Sequence, residues 1–379
     1  MPRGAGVVID QATPAESTSR HPRDTTPPPG IRAPSTDGST LAVVIVNFCQ
    51  WNNTARLVEQ LRQSAAIATE TAHIQIVDNG SPFHPWATRL AEQHGVSVGR
   101  LESNHGFAAA VNYACRRSRA TWLLLLNPDI TVPPRFLDDV QNLIVQTEPS
   151  PRVGIIGLAL RNRDGSPQPS TGVFPTLGGT LTGLFRPRQR RKCRPYPGHE
   201  RGEVDWATGG CLLIRRRCFE QLAGLDEAFF LYYEDVDFCH RATQAGWEVW
   251  FEPRLSVTHH WPLHARPVPA PLRLITRHAL LTYAQRYWPR WQTYLLAGLI
   301  GIEAASRQLA AAVLGQNLPA RIYRELRRLV VDVVAGRTTQ QVKRLRYAAG
   351  FLQSIAAEQD DRFDQRPVLD APDCYQNGE

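Results

Sequence analysis

The sequence is poor in lysine. Only Lys192 and Lys343 occur among 379 residues, so the 43 basic side chains are almost all arginine, against 35 acidic ones. Arginine favours forked contacts with phosphate or carboxylate, and the net charge of +8 suits a nucleotide, an anionic membrane surface or nucleic acid. The seven cysteines include no CxxC pair, which removes the usual zinc and disulfide frameworks and fits free thiols in a reducing cytosol. No uninterrupted apolar run reaches the roughly 18 residues of a membrane span. Residues 1–40 lack the hydrophobic segment of a secretory signal and are rich in Pro, Ser, Thr, Gly and Arg, as a disordered tail would be. No G-x-G-x-x-G follows the first apolar run, which argues against a dinucleotide-binding Rossmann fold. The loop there, Asn47-Phe48-Cys49-Gln50-Trp51, has neither Gly nor Lys, unlike the phosphate loop of a nucleotidyltransferase.

The centre of the sequence is Thr121–Arg135. An apolar run, Trp122–Leu126, stops at Asn127-Pro128-Asp129. Such a run reads as a strand buried on both faces of a parallel sheet, and Pro133-Pro134 as the start of a helix. A carboxylate at the carboxyl end of a central strand lies where open α/β sheets bind ligands, and it suits a divalent cation on a diphosphate. Asn-Pro-Asp is also an ordinary turn, so the pattern alone leaves both readings open.

Runs at Leu41–Val46, Ile74–Val77 and Val96–Leu101 read as further strands, ending in Asn47, Asp78-Asn79 and Asn104. Helices are expected at Asn53–Ser64, capped by Asn52 or Asn53, at Phe107–Arg117 and at Arg135–Val145. This alternation predicts an α/β fold with a mostly parallel central sheet. Strands at Val153–Leu160 and Cys211–Ile214 bracket a long segment, Arg161–Gly202, containing Arg186, Arg188, Arg190, Arg191, Lys192 and Arg194. Such a loop is either a solvated basic surface or a contact for a phosphate-bearing acceptor or an anionic bilayer. Glu234-Asp235-Val236-Asp237 opens a helix whose dipole the acids complement. Glu248–Phe251 and Ser256–His259 are two short strands, the second ending in His259-His260-Trp261. From residue 266 to 361 the pattern is helical and arginine-rich. Residues 317–335 form an amphipathic helix that either lies on a membrane or packs on its own domain, and 362–379 form a second disordered tail.

Seven pieces in order resemble the inverting glycosyltransferases of family 2: VVIVNF (43–48), IVDNGS (76–81), ESNHGFAAAVNYA (102–114), LLLLNPDITVPP (123–134), WATGGCLLIRR (206–216), FFLYYEDVDFCHRATQAGW (229–247) and VTHHW (257–261). The rhamnosyltransferase-like branch that builds cell-surface polysaccharide is the nearest in pattern. The resemblance implies a GT-A nucleotide-sugar-binding domain over residues 41–265. Asn47, Asp78, Asn79, Asn104, Gly106, Asn112 and Asn127 would hold the nucleotide sugar. Asp129 and His259 would hold Mg²⁺ or Mn²⁺, with His260 a competing candidate. Asp235 would be the catalytic base, and Trp206, Glu234 and Asp237 would face the acceptor. Many relatives carry Asp where Asn127 stands here, so Asp129 takes the metal contact. The implied partners are a nucleotide-diphosphate sugar, with dTDP-rhamnose the leading donor, and a glycan or polyprenyl-diphosphate-linked acceptor. Nucleic acid is not expected, because the arginines lack an aromatic stacking pattern. The implied location is cytoplasmic or peripheral on the inner face of the cytoplasmic membrane. A non-catalytic nucleotide-sugar-binding protein of the same fold is the alternative, and the retention of both Asp129 and Asp235 weighs against it.

Overall fold

The computed structural model describes residues 39–360, except 184, 187–190, 263–266, 354, 355, 358 and 359. The two expected tails, apart from residues 39 and 40, and Arg188 and Arg190 of the basic segment lie outside the described residues.

Strand β1 (Leu41–Asn47) is buried throughout. Helix α1 (Trp51–Arg62) begins two residues before its expected start, without a local side-chain cap. The N–H groups of Asn52 and Asn53 instead donate to the two carboxylate oxygens of Asp360, at 3.0 and 2.9 Å. An acid from the far end of the chain thus satisfies the positive end of this helix. Then come α2 (Ala65–Ala68), β2 (Ala72–Asn79), α3 (Pro85–Ala91), β3 (Val96–Leu101), α4 (Phe107–Arg117) and β4 (Trp122–Leu126). Past the Asn-Pro-Asp turn lie β5 (Ile130–Thr131) and α5 (Phe136–Thr147). Pro133-Pro134 precede this helix rather than start it; its N-cap is Arg135, at φ 61°.

After β6 (Val153–Arg161), the long segment contains β7 (Pro167–Gln168), β8 (Thr171–Gly172) and α6 (Leu177–Gly183). Next are β9 (Gly202–Glu203), β10 (Trp206–Ala207), β11 (Cys211–Arg215), α7 (Arg216–Gln221) and α8 (Glu234–Gln244). The two short strands expected after α8 are one, β12 (Glu248–His259), with an irregular register between Glu252 and Ser256. Four helices follow: α9 (Ala270–Tyr287), α10 (Arg290–Val313), α11 (Asn317–Val334) and α12 (Thr338–Ala349).

The main sheet runs β3-β2-β1-β4-β11-β6-β12-β5. Strands β3, β2, β1 and β4 are parallel. Strand β11 runs against both β4 and β6, and β6 is parallel to β12. Among the long strands only β11 is reversed, so the mostly parallel sheet expected from the alternation is what forms. Successive residues of β1 feed opposite cores. Ala42, Val44 and Val46 pack with α4, α7, α8 and the C-terminal helices, while Leu41, Val43 and Ile45 pack with α1, α2, α3 and α5. Burial on both faces explains why these strands read as unbroken apolar runs.

The C-terminal helices share one core with the sheet. Tyr283 of α9 is fully buried, as are Ile322 and Leu326 of α11. Asp237 of α8 ties the two regions: its carboxylate accepts from Arg241 Nε at 2.7 Å, Arg286 Nη1 at 2.6 Å and Tyr287 Oη at 2.8 Å. Of the two readings of the amphipathic helix, α11 buries its apolar side within the protein. Helix α10 exposes an apolar stripe, in which Trp291, Leu295, Ile302 and Leu309 recur at helical spacing. This helix has the length and mean hydropathy of a membrane span, 24 residues and 1.2, although Glu303 and Arg307 interrupt it and no continuous apolar run revealed it.

Candidate active site

The parallel register places the polar strand ends side by side. Asn47 pairs with Asp78 across β1 and β2, and Asp78 with Arg100 across β2 and β3. Asn47 Nδ2 donates to Asp78 Oδ1 at 3.1 Å and lies 3.3 Å from Ser81 Oγ. Asp78 Oδ2 is buried without a hydrogen-bond partner, with Arg100 Nε 3.7 Å away. Burial raises the Asp78 carboxyl above its usual range, against the opposing pull of its hydrogen bonds. A buried acceptor left open beside a strand end is what a donor group on a nucleobase would fill.

Asn79 Nδ2 donates to Asn104 Oδ1 and to the Gly106 carbonyl, both at 3.1 Å, and the His105 N–H donates to Asn79 Oδ1 at 3.0 Å. These residues brace one another at the entry to α4. Gly106 sits at φ 92°, and a Cβ there would lie 2.4 Å from the Phe230 carbonyl. That carbonyl accepts the Phe107 N–H at 2.7 Å, so glycine lets the start of α4 touch the segment leading into α8. Asn112 stands apart from the group. Its amide donates to the Leu225 carbonyl at 2.8 Å and to Glu227 Oε1 at 3.0 Å, and it accepts the Leu225 N–H at 2.9 Å. It pins a turn, and both of its amide donors are committed to that turn.

The β5–β12 pairing sets His259 opposite Ile130, directly after the Asn-Pro-Asp turn. His259 Nε2 is thereby 3.5 Å from Asp129 Oδ2, and Nδ1 is 2.9 Å from Gln168 Nε2. His260 has both ring nitrogens engaged, with Thr131 Oγ1 at 2.7 Å and with Arg163 Nε at 3.1 Å. Burial and then Arg163 push it down to about 4. The geometry therefore favours His259 over His260 as a ligand. Among the described residues no group of three or more His, Cys, Asp or Glu gathers in metal-holding geometry. One carboxylate and one imidazole fit a cation that takes its remaining ligands from phosphate and water, as Mg²⁺ commonly does.

The second acid lies across Gly209-Gly210. The Gly209 N–H donates to Asp235 Oδ2 at 3.2 Å, and the Gly210 carbonyl accepts the Asn127 N–H at 3.1 Å. Two consecutive glycines thus join the turn bearing Asp129 to the start of α8. Asp235 Oδ1 accepts the Val236 N–H at 2.8 Å and the Lys192 ammonium at 3.4 Å. Tyr232 and Tyr233, immediately before α8, both hold left-handed backbone, at φ 70° and 69°. Strain of this kind in consecutive bulky residues persists where surrounding packing imposes it, commonly at functional sites. Glu234 is buried with Oε2 unpartnered, and burial followed by Asp235 pushes it up to about 8. It stands directly beside Asp235 at the start of α8.

Two residues expected to face an acceptor do not present themselves to one. Trp206 is fully buried, with Nε1 donating to the Val173 carbonyl at 2.9 Å and the Lys192 ammonium 4.9 Å from its ring. Asp237, also fully buried, is spent on Arg241, Arg286 and Tyr287. Lys192 is the residue missed. Its ammonium touches Asp235 and lies 4.5 Å from the Tyr233 ring. Burial opposes its charge, yet Asp235 raises the ammonium above its usual value. Its rarity was visible in the sequence, but nothing there pointed it at residue 235.

Residues 39–278 match the family described as "Glycosyltransferase like family 2", and the chain belongs to that family. An N-acetylglucosaminyl-diphospho-decaprenol L-rhamnosyltransferase of Mycobacterium tuberculosis is 31% identical over 224 residues, 54% of this chain and 71% of the relative. The low-salt glycan biosynthesis hexosyltransferase Agl10 of Haloferax volcanii is 28% identical, over 59% of this chain and 68% of its own. The rhamnosyltransferase WbbL of Escherichia coli is 27% identical, over 44% and 63%. A solved mannosyltransferase from Pyrobaculum calidifontis is 14% identical over 90% of this chain and 92% of its own, with a TM-score of 0.44. The chain is a family 2 glycosyltransferase similar to these rhamnosyltransferases, with the α/β sheet followed by a helical region.

Proposed function

We propose that the chain is an inverting, metal-dependent transferase that moves a sugar from a nucleotide diphosphate to a hydroxyl of a glycan or lipid-linked glycan. Rhamnose on dTDP is the leading donor, in keeping with the rhamnosyltransferases named above. The observation that carries the reading is the pair of acids joined through Gly209-Gly210: Asp129 beside His259, and Asp235 under Lys192.

Asn47 and Asp78 hold the nucleoside, with the open Asp78 Oδ2 accepting from the base. Asn79 and Asn104 keep the entry to α4 in place, and Asn127 lies beside the donor sugar. Asp129 and His259 hold Mg²⁺ or Mn²⁺ on the diphosphate; when bound, the cation neutralises the charge that grows on the leaving group. Asp235 takes the proton from the attacking hydroxyl. Both of its oxygens accept N–H bonds, the arrangement of a carboxylate rather than of an acid that must donate. Attack from the face opposite the leaving diphosphate inverts the anomeric carbon. The exposed apolar side of α10 and the arginines of α11 rest on an anionic membrane surface, where a lipid-linked acceptor resides.

The test is a panel of nucleotide sugars titrated into the purified chain by thermal shift, with and without Mn²⁺. A Mn²⁺-dependent rise with a nucleotide sugar supports the reading. No rise with any of them, in the presence of metal, refutes it.

A further inference from the structure

Helix α1 opens without an acid of its own. Its first turn holds no Asp or Glu, and Gln50, at the N-cap, makes no side-chain cap. The Thr54 N–H donates to the Gln50 carbonyl at 2.9 Å, while the Asn52 and Asn53 N–H groups go to the two oxygens of Asp360. The turn that Asp360 caps is the one that follows Asn47. We propose that Asp360 is a positioning residue for the donor, a latch from the C-terminal region that holds Asn47 in the orientation that binds the nucleoside. The inference rests on the reading of Asn47 and Asp78 as the nucleoside pair.

A continuous set of hydrogen bonds carries it. Asp360 Oδ1 accepts the Asn53 N–H, and the next residue, Thr54, donates its hydroxyl to Asn47 Oδ1 at 3.0 Å. Asn53 Nδ2 donates to Gln50 Oε1 at 3.1 Å, and the Gln50 N–H donates to the same Asn47 Oδ1 at 3.3 Å. Asn47 Nδ2 in turn donates to Asp78 Oδ1. The amide oxygen of Asn47 is thus fixed from the start of α1, and its nitrogen points at Asp78. Whatever holds this turn also sets the Asn47 amide before any nucleotide arrives, and such preorganisation is worth affinity.

The turn needs an outside hold. Cys49 sits in left-handed backbone at φ 54°, and Trp51 Nε1 and Asn53 Oδ1 are buried without hydrogen-bond partners. Strain and orphaned polar groups persist where the surroundings over-determine the structure. Asp360 supplies part of that constraint, since it is only 5% exposed and faces two donors at the positive end of a helix. Burial, opposed by a hydrogen bond with Ser81 and reinforced by the charges of Asp78 and Asp360, pushes the Cys49 thiol up to about 11. Both acids therefore bear on one loop. Asp360 lies beyond the residues 39–278 that match the family, so the appended helical region reaches back to the donor side of the sheet.

The test is calorimetric titration of the full chain with dTDP and with UDP in the presence of Mg²⁺, beside amide hydrogen exchange over residues 47–54. Loss of a helix cap is worth about a factor of five to ten in an equilibrium constant. Asp360→Ala should weaken the nucleotide that binds by about that factor and quicken exchange over residues 47–54. Asp360→Asn keeps one acceptor oxygen and should fall between. Thr54→Val removes the hydroxyl that reaches Asn47; combined with Asp360→Ala it should cost less than the sum of the two, as for members of one network. Glu325→Gln loses contacts to Arg328 and Arg344 in the helical region and should bind as wild type. Wild-type affinity in Asp360→Ala would overturn the inference, and faster exchange alone would leave Asp360 a helix cap and nothing more. An equal loss of affinity in Glu325→Gln would also overturn it, because general loosening would then explain the effect. A wild-type chain that binds neither nucleotide sinks the nucleoside reading and this inference with it; wild-type binding that Asp360→Ala retains sinks this inference alone.

Discussion

Replacing Asp235 by Asn tests the chemistry with little change of shape. The amide keeps an acceptor oxygen for the Val236 N–H but removes the charge facing Lys192 at 3.4 Å. Breaking a fully buried ion pair costs about 3–5 kcal/mol. Lys192 keeps 29% of its side chain exposed and can turn to water, so the loss here should lie between that figure and the roughly 0–1 kcal/mol of exposed pairs. In a chain of this size that lowers the melting midpoint by only a few degrees. Loss of a general base costs about 10²–10⁴ in rate, or about 3–5 kcal/mol of barrier. The assay is release of nucleoside diphosphate under saturating donor and acceptor, with donor affinity measured in parallel. The expected result is a fall in kcat of two to four decades, on the scale given for general bases, with donor affinity nearly unchanged. Turnover near wild type would refute the role of Asp235. A collapse in donor affinity would show that the acid serves the other half of the site.

Asp129→Ala and His259→Ala should each weaken donor binding only when metal is present. Equal metal dependence in wild type and variants, by titration with Mn²⁺, would remove both from the ligand set. Asp237→Ala leaves Arg241, Arg286 and Tyr287 without their shared acceptor and should cost about 3–5 kcal/mol, read by chemical denaturation. A cost below about 1 kcal/mol would mean the Asp237 cluster is not what holds the helical region to the sheet. Burial and then Asp235 push the Glu234 carboxyl up from an ordinary 4.5 to about 8, so the native state binds its proton more tightly. Its contribution is full below the ordinary value and declines as pH rises through about 8. Glu234→Gln should flatten the stability profile between those limits, and an unchanged slope in denaturant titrations would show the carboxyl is charged throughout. Gly106→Ala forces a Cβ against the Phe230 carbonyl and should lower both stability and turnover; wild-type values would mean the segment before α8 shifts freely.

The alternation of strands and helices, the apolar character of β1, β2 and β4, and the polar residues that close them were all legible in the sequence. A strand buried on two faces must be apolar along its length, and its end must be polar where it meets solvent or ligand. The family pieces placed Asp129, Asp235 and His259 correctly in their elements. Local patterns failed where the partner was distant. The cap of α1 comes from Asp360 and not from Asn52 or Asn53, because a carboxylate 308 residues away outcompetes the neighbours. The sequence left α11 open between a membrane surface and its own domain; its apolar side is buried, while α10 exposes the apolar stripe.

The sequence by itself settled that this is an α/β glycosyltransferase, since strand composition and ordered motifs are local properties. Only the folded chain decided which members of those motifs lie together and which are committed to hydrogen bonds within the fold. Register set Asn47 against Asp78 and His259 against Asp129. Packing buried Trp206, committed Asn112 to a turn and Asp237 to the helical region, and brought a scarce lysine onto Asp235. Hydrogen-bonding capacity is finite, and a side chain spent on its own protein has none left for a substrate; that allocation is made by three-dimensional neighbours, which no linear spacing records.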